Sequence, residues 1–393
     1  MIGTAALTAS ERALWLSWTA GSQTYESPFF HPDFTAVAGQ VAPGAKLAVL
    51  HRAGQIVGFF PHQRRGGAAQ PLGAPLNDYH GVIAAPGEQF ALSDAADLLQ
   101  ARSMTVTGWA GPAEGDDSTT QARTLLADVS AGWDAYLGAR RESFLKFFKD
   151  KERVRRSMER DLGPIRVEIA NRDLVHFDRL IGLKRDQYRR SRRHDIFACG
   201  WTADLLRELQ LHDDPRFGAN LAVLFAGDRP MAYELGLRGG GHYHFWVPAY
   251  EAEGARYSPG MLLSMETMKA RAADGVSLFD FGFEGEAYKK YFCDEVRQIW
   301  EGVSLQPGLM KAVNMAANMA GAQSAVDAGS SLAGGSLAQS VRRRWAVIDA
   351  CETTTIGRVK AVTAAAGAML GRGRNASSTA AAALLVATSA LSF

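Results

Sequence analysis

The sequence predicts an α/β (α+β) protein of two similar units in tandem, each a mixed, twisted sheet flanked by helices, followed by an alanine-rich tail. Three observations carry that expectation. The 393 residues are enough for about two domains and an appendage. A 47% hydrophobic and 21% charged composition is globular. One strand–turn–strand pattern occurs twice. Leu47-Ala48-Val49-Leu50, a turn at Arg52-Ala53-Gly54, and Ile56-Val57-Gly58-Phe59-Phe60 are echoed by Leu221-Ala222-Val223-Leu224, a turn at Gly227-Asp228-Arg229-Pro230, and Met231 to Leu235. The copies start 174 residues apart, from 47 to 221, and a helix-like stretch precedes each: Asp33 to Gly39 and Thr202 to Leu211.

The remaining elements follow in order. Arg140 to Arg193 holds 18 Lys/Arg against 9 Asp/Glu. Within it, Phe144, Phe147, Phe148, Val154 and Met158 form one apolar helical face, which Gly163-Pro164 ends. Ile165 to Ile169 alternates like a strand, and Asp173 to Arg189 reads as a second helix. Beyond the second hairpin, His242 to Tyr250 is a strand, and a loop from Glu251 to Gly260 leads to a helix from Met261 to Ala273. Val276 to Phe281 is a short strand with Asp280 near its end. From about Pro307, Ala, Ser and Gly dominate and the tail carries +5 (8 basic, 3 acidic). Met310–Met319 and Ser340–Cys351 are its candidate helices, in a segment expected to be partly helical or mobile. The resulting division is 1–138, 139–306 and 307–393.

Composition narrows the function classes. A formal charge of +2 excludes a strong polycation, and no DNA partner is expected. Cys199, Cys293 and Cys351 are far apart, so neither a disulfide framework nor a CxxC metal site is predicted. No targeting or membrane-spanning stretch is visible, and the apolar run from Ala380 is too short to span a bilayer, so a cytoplasmic protein is expected.

Several constellations can carry chemistry. In Gly254-Ala255-Arg256-Tyr257-Ser258-Pro259-Gly260, a loop opens onto a helix at Met261, where free N–H groups and the helix dipole suit an anion and Arg256 adds charge. An ordinary strand-to-helix connection fits the same residues. The run Phe279-Asp280-Phe281-Gly282 through Tyr288-Lys289 sets a carboxylate and glycines before a Tyr-Lys pair, although Asp280 as a loop cap and Lys289 as a solvated side chain remain open. Asn77-Asp78-Tyr79-His80 offers an acid or base and a stacking ring, or a plain capped turn. His242 and His244 share a strand face without a third ligand at diagnostic spacing, so no metal is expected. Glu234 on the preceding strand is a further carboxylate. Arg189-Arg190-Ser191-Arg192-Arg193 and Arg342-Arg343-Arg344-Trp345 are the two arginine clusters.

Three blocks resemble a known family. They are Ser27-Pro28-Phe29-Phe30 through Pro75-Leu76-Asn77-Asp78-Tyr79, the basic helix Arg153 to Gly163, and Ala255-Arg256-Tyr257-Ser258-Pro259-Gly260-Met261 followed by Phe279-Asp280-Phe281-Gly282 and Tyr288-Lys289. Together, over about residues 25–300, the chain resembles the CelD-type acetyltransferases of the GNAT superfamily, tied to bacterial exopolysaccharide synthesis. The Fem aminoacyltransferases are similar in plan, and there is a weaker resemblance to holdfast-polysaccharide acetyltransferases. The resemblance implies tandem GNAT-like domains, acetyl-CoA as acyl donor held by the second, and acyl transfer to an amine or hydroxyl of a sugar. On that reading the donor site comprises Val247, Arg256, Tyr257, Ser258, Gly260 and Met261. Asp78 or Glu234 is the base, Tyr288 the acid, and Lys289 a stabiliser of negative charge. Tyr79, His80, His244 and Asp280 face the acceptor. The sequence departs from the usual GNAT pyrophosphate loop: Arg256 and Gly260 are present, but Pro259 and the spacing differ. Two other functions fit: a Fem-like aminoacyltransferase using aminoacyl-tRNA, and a regulatory protein whose arginine clusters hold a cyclic dinucleotide. The same clusters suit anionic lipid at the inner membrane face.

Overall fold

The computed structural model describes residues 3, 7–113, 119–212, 214–305 and 343–370. Among the described residues twelve strands form one sheet, in the order β1-β2-β3-β5-β12-β6-β11-β10-β9-β8-β7, where β3 is Ala68–Pro71 and β7 is Ile165–Asn171, with β4 (Ile83–Ala84) pairing β2. The repeated hairpins are β1 (Ala45–Arg52) with β2 (Gln55–Arg65), and β8 (Phe217–Ala226) with β9 (Arg229–Gly239). They lie towards opposite ends of the sheet. The middle is interleaved. β12 (Glu295–Leu305) comes last in the second half, yet it runs between β5 (Ser103–Trp109) and β6 (Thr119–Asp128) of the first, antiparallel to both. β6 then pairs with β11 (Leu278–Phe283), so each half completes the other's sheet.

The helices follow the apolar patterning. α2 (Pro32–Val41) and α6 (Trp201–Leu211) cover one face with α1 (Ala9–Thr19) and α5 (Leu174–Ser191). Beneath them Phe29, Phe34, Leu205, Leu221 and Leu235 join both halves in one buried core. On the other face α4 (Trp133–Leu162) packs against α7 (Pro259–Ala273). α4 buries Phe148, Val154 and Met158 as its spacing predicts, but Phe144 breaks the helix with φ −135° and ψ 42°, and Phe147 stacks on Tyr291 at 3.9 Å.

Two boundaries differ from the sequence reading. The segment from Glu251 is not an open loop: Ala252–Tyr257 coil into a 3-10 turn, Ser258 takes a left-handed conformation, and α7 begins at Pro259, whose fixed φ suits a first helical position. β11 runs on to Phe283 because Phe283 still pairs with Thr124 of β6, which puts Asp280 inside the strand.

In the tail, residues 343–351 form α8 and Thr355–Leu370 form α9. α8 is docked, with Trp345, Ile348 and Cys351 buried. Arg343 forks onto Glu301 at 2.7 and 3.2 Å, and Gln70 donates to buried Asp349. The candidate helix Met310–Met319 lies outside the described residues. Among the described residues no helix is long and apolar enough to cross a membrane.

Candidate active site

β10 (His242–Tyr250) and β11 run parallel but pair only from His242 with Leu278 to His244 with Asp280. Past that point a bulge in β10 between Phe245 and Val247 turns it away, and the strands part. Trp246 donates its indole N–H to the Leu76 carbonyl at 2.7 Å, fastening the bulge to the loop that carries Asp78.

At the apex of this opening four sequence-nominated residues meet. Asp280 Oδ2 accepts the Tyr79 hydroxyl at 2.5 Å and lies 3.3 Å from His244 Nδ1. The other imidazole nitrogen, Nε2, is 2.9 Å from Asp78 Oδ2. His242 Nε2 approaches the same Asp280 oxygen at 3.5 Å, and Asp280 Oδ1 accepts the Gly282 N–H at 2.6 Å. The result is a carboxylate–imidazole–carboxylate row whose inner end, Asp280, is sealed. Its outer end, Asp78, is 30% exposed.

Local chemistry places each member. Asn77 Oδ1 accepts the Tyr79 N–H at 2.8 Å and Asn77 Nδ2 donates to the Leu72 carbonyl at 2.9 Å, an Asx turn that presents Asp78 and Tyr79. Gly108 lets β5 close on that turn, since a Cβ there would lie 2.0 Å from the Asp78 carbonyl. Gly282, with φ +70°, turns the chain beside Asp78 and His244, where a Cβ would sit 3.4 and 3.6 Å away.

The electrostatics are set by burial and by close charges. Burial pulls His244 down, but the two carboxylates outweigh it and hold its pKa at about 9, so the imidazole is a cation at neutral pH. Burial pushes Asp280 up, but His244 and His242 drive it far below the usual carboxylate range. Tyr79 is raised well above its usual value by burial and by Asp280, and stays a donor.

The second carboxylate nominated as base sits elsewhere. Glu234 on β9 is buried against α7, accepts the Ser264 hydroxyl at 2.6 Å, and is raised by burial to about 7. Tyr288 lies against Phe292 in the apolar cluster under α4 and α7, and burial raises its hydroxyl so that it remains protonated. Lys289 Nζ donates to the Phe283 carbonyl at 2.6 Å and pairs with Glu286 at 2.8 Å.

The residues nominated for the donor gather around the start of α7. Ser258 has no side-chain cap bond; instead its hydroxyl is 3.1 Å from Lys151 Nζ. Arg256 is 71% exposed over the Tyr257 ring, and the Tyr257 hydroxyl donates to Asp161 at 2.8 Å. Gly260 and Met261 lie in the first turn, where Pro259 carries no N–H and the Met261 N–H donates to the Ser258 carbonyl at 3.0 Å. Lys151, 3.3 Å from Asp150, and Arg256, 3.7 Å from Asp161, thus stand beside the positive end of the helix dipole. Val247 is buried in the main core.

His80 is not brought to the site. Its ring stacks on Phe60 at 5.0 Å in the core of the first half, and burial lowers it to about 3. The sequence reading also passed over residues the site uses. Asn77 and Gly282 were legible only as parts of motifs, whereas the His-x-His spacing did point to His242.

Residues 145–290 match the acetyltransferase (GNAT) domain model. A search of curated proteins finds no match. Among solved structures, FemX shares 10% identity over 74% of this chain and 94% of its own, with a TM-score of 0.46. A tandem GNAT protein from the clavulanic acid biosynthesis pathway shares 11% over 76% and 96%, with a TM-score of 0.42. L-PGS from Bacillus licheniformis shares 10% over 81% and 97%, with a TM-score of 0.41. The matched segment holds β10, α7 and β11, so the opening between these strands lies within residues that match an acetyltransferase (GNAT) domain, and the protein is an acyltransferase with a mixed sheet flanked by helices.

Proposed function

We propose that the protein is an acetyl-CoA-dependent acetyltransferase acting on an amine or hydroxyl of a sugar in an exopolysaccharide or its precursor. The observation that supports it most is the parting of β10 from β11 with the Asp78–His244–Asp280–Tyr79 row at its apex. Acetyl-CoA, when bound, supplies the acyl thioester. The α7 N-terminus, with Lys151 and Arg256 beside it, fits its pyrophosphate. Asp78, the exposed end of the row, accepts the proton of the attacking amine or hydroxyl. His244, held as a cation by Asp280, fixes the Asp78 carboxylate and does not itself titrate at neutral pH. Glu234, on the α7 side and bonded to Ser264, is a poorer base by placement. Tyr288, protonated at neutral pH, is the proton source on that side. Positioning of the two substrates supplies much of the acceleration.

Calorimetric titration with acetyl-CoA tests this reading. Saturable binding that weakens in Arg256→Ala is expected, and no binding at millimolar acetyl-CoA overturns it. The aminoacyl-tRNA reading has less to stand on. Within α4, Arg141, Arg153, Arg155 and Arg160 each already pair with an acidic side chain, which reduces the charge available to a nucleic acid.

A second reading concerns regulation, and one observation favours it. Arg190, Arg192, Arg193 and Arg344, with Arg343 already bonded to Glu301, line one cleft of about 1350 Å³ between the end of α5 and the docked tail and come from both clusters the sequence singles out. Arg342 lies outside the described residues. Such a cleft suits a phosphate-bearing ligand, a cyclic dinucleotide or an anionic lipid headgroup. Titration with a cyclic dinucleotide and flotation with anionic vesicles separate the two, and absence of both interactions sinks the regulatory reading.

A further inference from the structure

The docked tail brings together two cysteines that lie far apart in the sequence. Cys199 sits in the non-helical turn 196–199 between α5 and α6, and Cys351 is the last residue of α8. Both thiols donate to one carbonyl, that of Ile196, which lies 3.2 Å from Cys199 Sγ and 3.8 Å from Cys351 Sγ. The two sulfur atoms are also hydrogen-bond partners of each other. Both residues are free thiols.

Their surroundings make them unequal. Cys351 is fully buried, whereas Cys199 is partly exposed, so a reagent from solvent reaches the pair through Cys199. Hydrogen bonding from Cys351 outweighs burial and, with Thr202 at 3.5 Å, lowers the Cys199 thiol from 9.0 to about 7, against the nearby Glu352 carboxylate. A large share of Cys199 is thus thiolate at neutral pH, the form that attacks an oxidant. The same bond and burial hold Cys351 well above the usual thiol range, so it keeps its proton until Cys199 has reacted. An accessible thiolate beside a protonated partner is the arrangement of an attacking and a resolving cysteine. Cys293, by contrast, is raised by burial to about 12.

The pair joins two parts of the molecule that are otherwise held by polar contacts. Arg343 bonds Glu301, Gln70 bonds Asp349, the Arg65 guanidinium donates to the Ala350 carbonyl at 3.2 Å, and the Trp201 indole donates to the Cys351 carbonyl at 3.4 Å. Val347 and Ile348 of α8 line the arginine-rich cleft, as do Asp195 and Ile196 beside the turn that carries Cys199.

We propose that Cys199 and Cys351 form a reversible disulfide on exposure to a peroxide, stapling α8 to the turn before α6 and fixing the cleft between them. The Cys199 thiolate attacks one peroxide oxygen. The O–O bond breaks, hydroxide leaves and takes up a proton as water, and Cys199 becomes a sulfenic acid. The Cys351 thiol then attacks that sulfur, and its proton leaves with the displaced hydroxyl as a second water. Two thiols lose two electrons in all, and one peroxide is reduced to two waters. The sulfur atoms must close to about 2.0 Å, and a turn and a helix end are positions where the backbone can give. The inference rests on neither the acetyl-transfer reading nor a ligand in the cleft.

The test is thiol counting and peptide mapping of the full chain after brief treatment with hydrogen peroxide. Thiols titrated under denaturing conditions are expected to fall from three to one, with Cys293 left free. A linked Cys199–Cys351 peptide is expected to appear and to be lost with dithiothreitol. Cys351→Ser is expected to leave Cys199 as a sulfenic acid that dimedone traps, and absence of that adduct overturns the order of attack. Hydrogen exchange over residues 343–351 is expected to slow in the oxidised protein and to recover on reduction. Three thiols after treatment, a link through Cys293, or a link between two chains overturns the pair. A Cys199–Cys351 link without slower exchange in α8 overturns the staple. Thiol counting, mapping and exchange all use the native sequence, so those outcomes do not depend on a variant folding.

Discussion

Replacing Asp280 with Asn probes the catalytic row at its most buried charge while keeping the side-chain shape. In the native protein the imidazolium of His244 lies between Asp280 at 3.3 Å and Asp78 at 2.9 Å. At an effective dielectric constant of 20, a unit-charge pair at 3.3 Å is worth about 5 kcal/mol, or roughly three to four pKa units. Subtracting that from about 9 takes His244 below its ordinary 6.5. The Asp280→Asn variant is therefore expected to hold a neutral imidazole at pH 7, with Asp78 no longer fixed by a cation. Nitrogen-detected NMR of the histidine side chains reads the pKa directly. The pH profile of kcat/KM reads its consequence, with an upper limb near 9 in the native enzyme that moves below neutrality. The stability profile carries the same sign. The raised pKa of His244 contributes stability that is complete below 6.5 and lost as pH rises through 9, and the variant lacks this loss. A variant whose His244 still titrates above pH 8 refutes the assignment of Asp280 as the charge that holds the row.

Other perturbations separate neighbouring roles. Asp78→Asn is expected to lower kcat by roughly 10²–10⁴-fold with acetyl-CoA affinity retained, measured by steady-state kinetics and calorimetry. Glu234→Gln is expected to keep activity within a few-fold. Because burial raises Glu234 from 4.5 to about 7, the native protein loses about 3 kcal/mol between those pH values, and denaturant melts of the variant should lack that slope. His62, buried in the first half, is lowered from 6.5 to about 4, so its neutral form favours folding above pH 6.5 and that stability is lost as pH falls through 4. His62→Gln should flatten acid unfolding by about 3 kcal/mol over that window, followed by urea titration at stepped pH.

Much of the fold was legible because its signals are local. The repeated hairpins, the basic helix and the strand His242–Tyr250 each show their period within a dozen residues, and each appears where the pattern places it. The docking of α8 was not, because its anchors are distant in sequence: Gln70 for Asp349, Glu301 for Arg343 and Arg65 for the Ala350 carbonyl. In the site, Asp78, Tyr79, His244 and Asp280 were each visible as chemistry-bearing residues, but nothing in the sequence set them side by side. His80 illustrates the limit. It follows Asp78 and Tyr79 directly, yet an isolated bridge to Trp109 fixes it in the core of the first half, where its ring packs on Phe60 and Trp109.

The interleaved strand explains why the row spans both halves. Asp78 and Tyr79 belong to the first half, His244 and Asp280 to the second, and the contact depends on β6 pairing with β11 at Leu126 and Asp280. β6 is held there from its other edge by β12, which pairs with it from Glu295 to Gly302. Either half expressed alone leaves a central strand without a partner and removes part of the catalytic row. The first half is thus a structural part of the active site rather than an appended copy. A cut in the 114–118 connection between β5 and β6, with both fragments retained, should preserve activity because β12 still bridges those strands. Separate expression of residues 1–138 and 139–393 tests the reverse: recovery of activity should require both pieces together, and activity in the second piece alone would refute the shared-site argument.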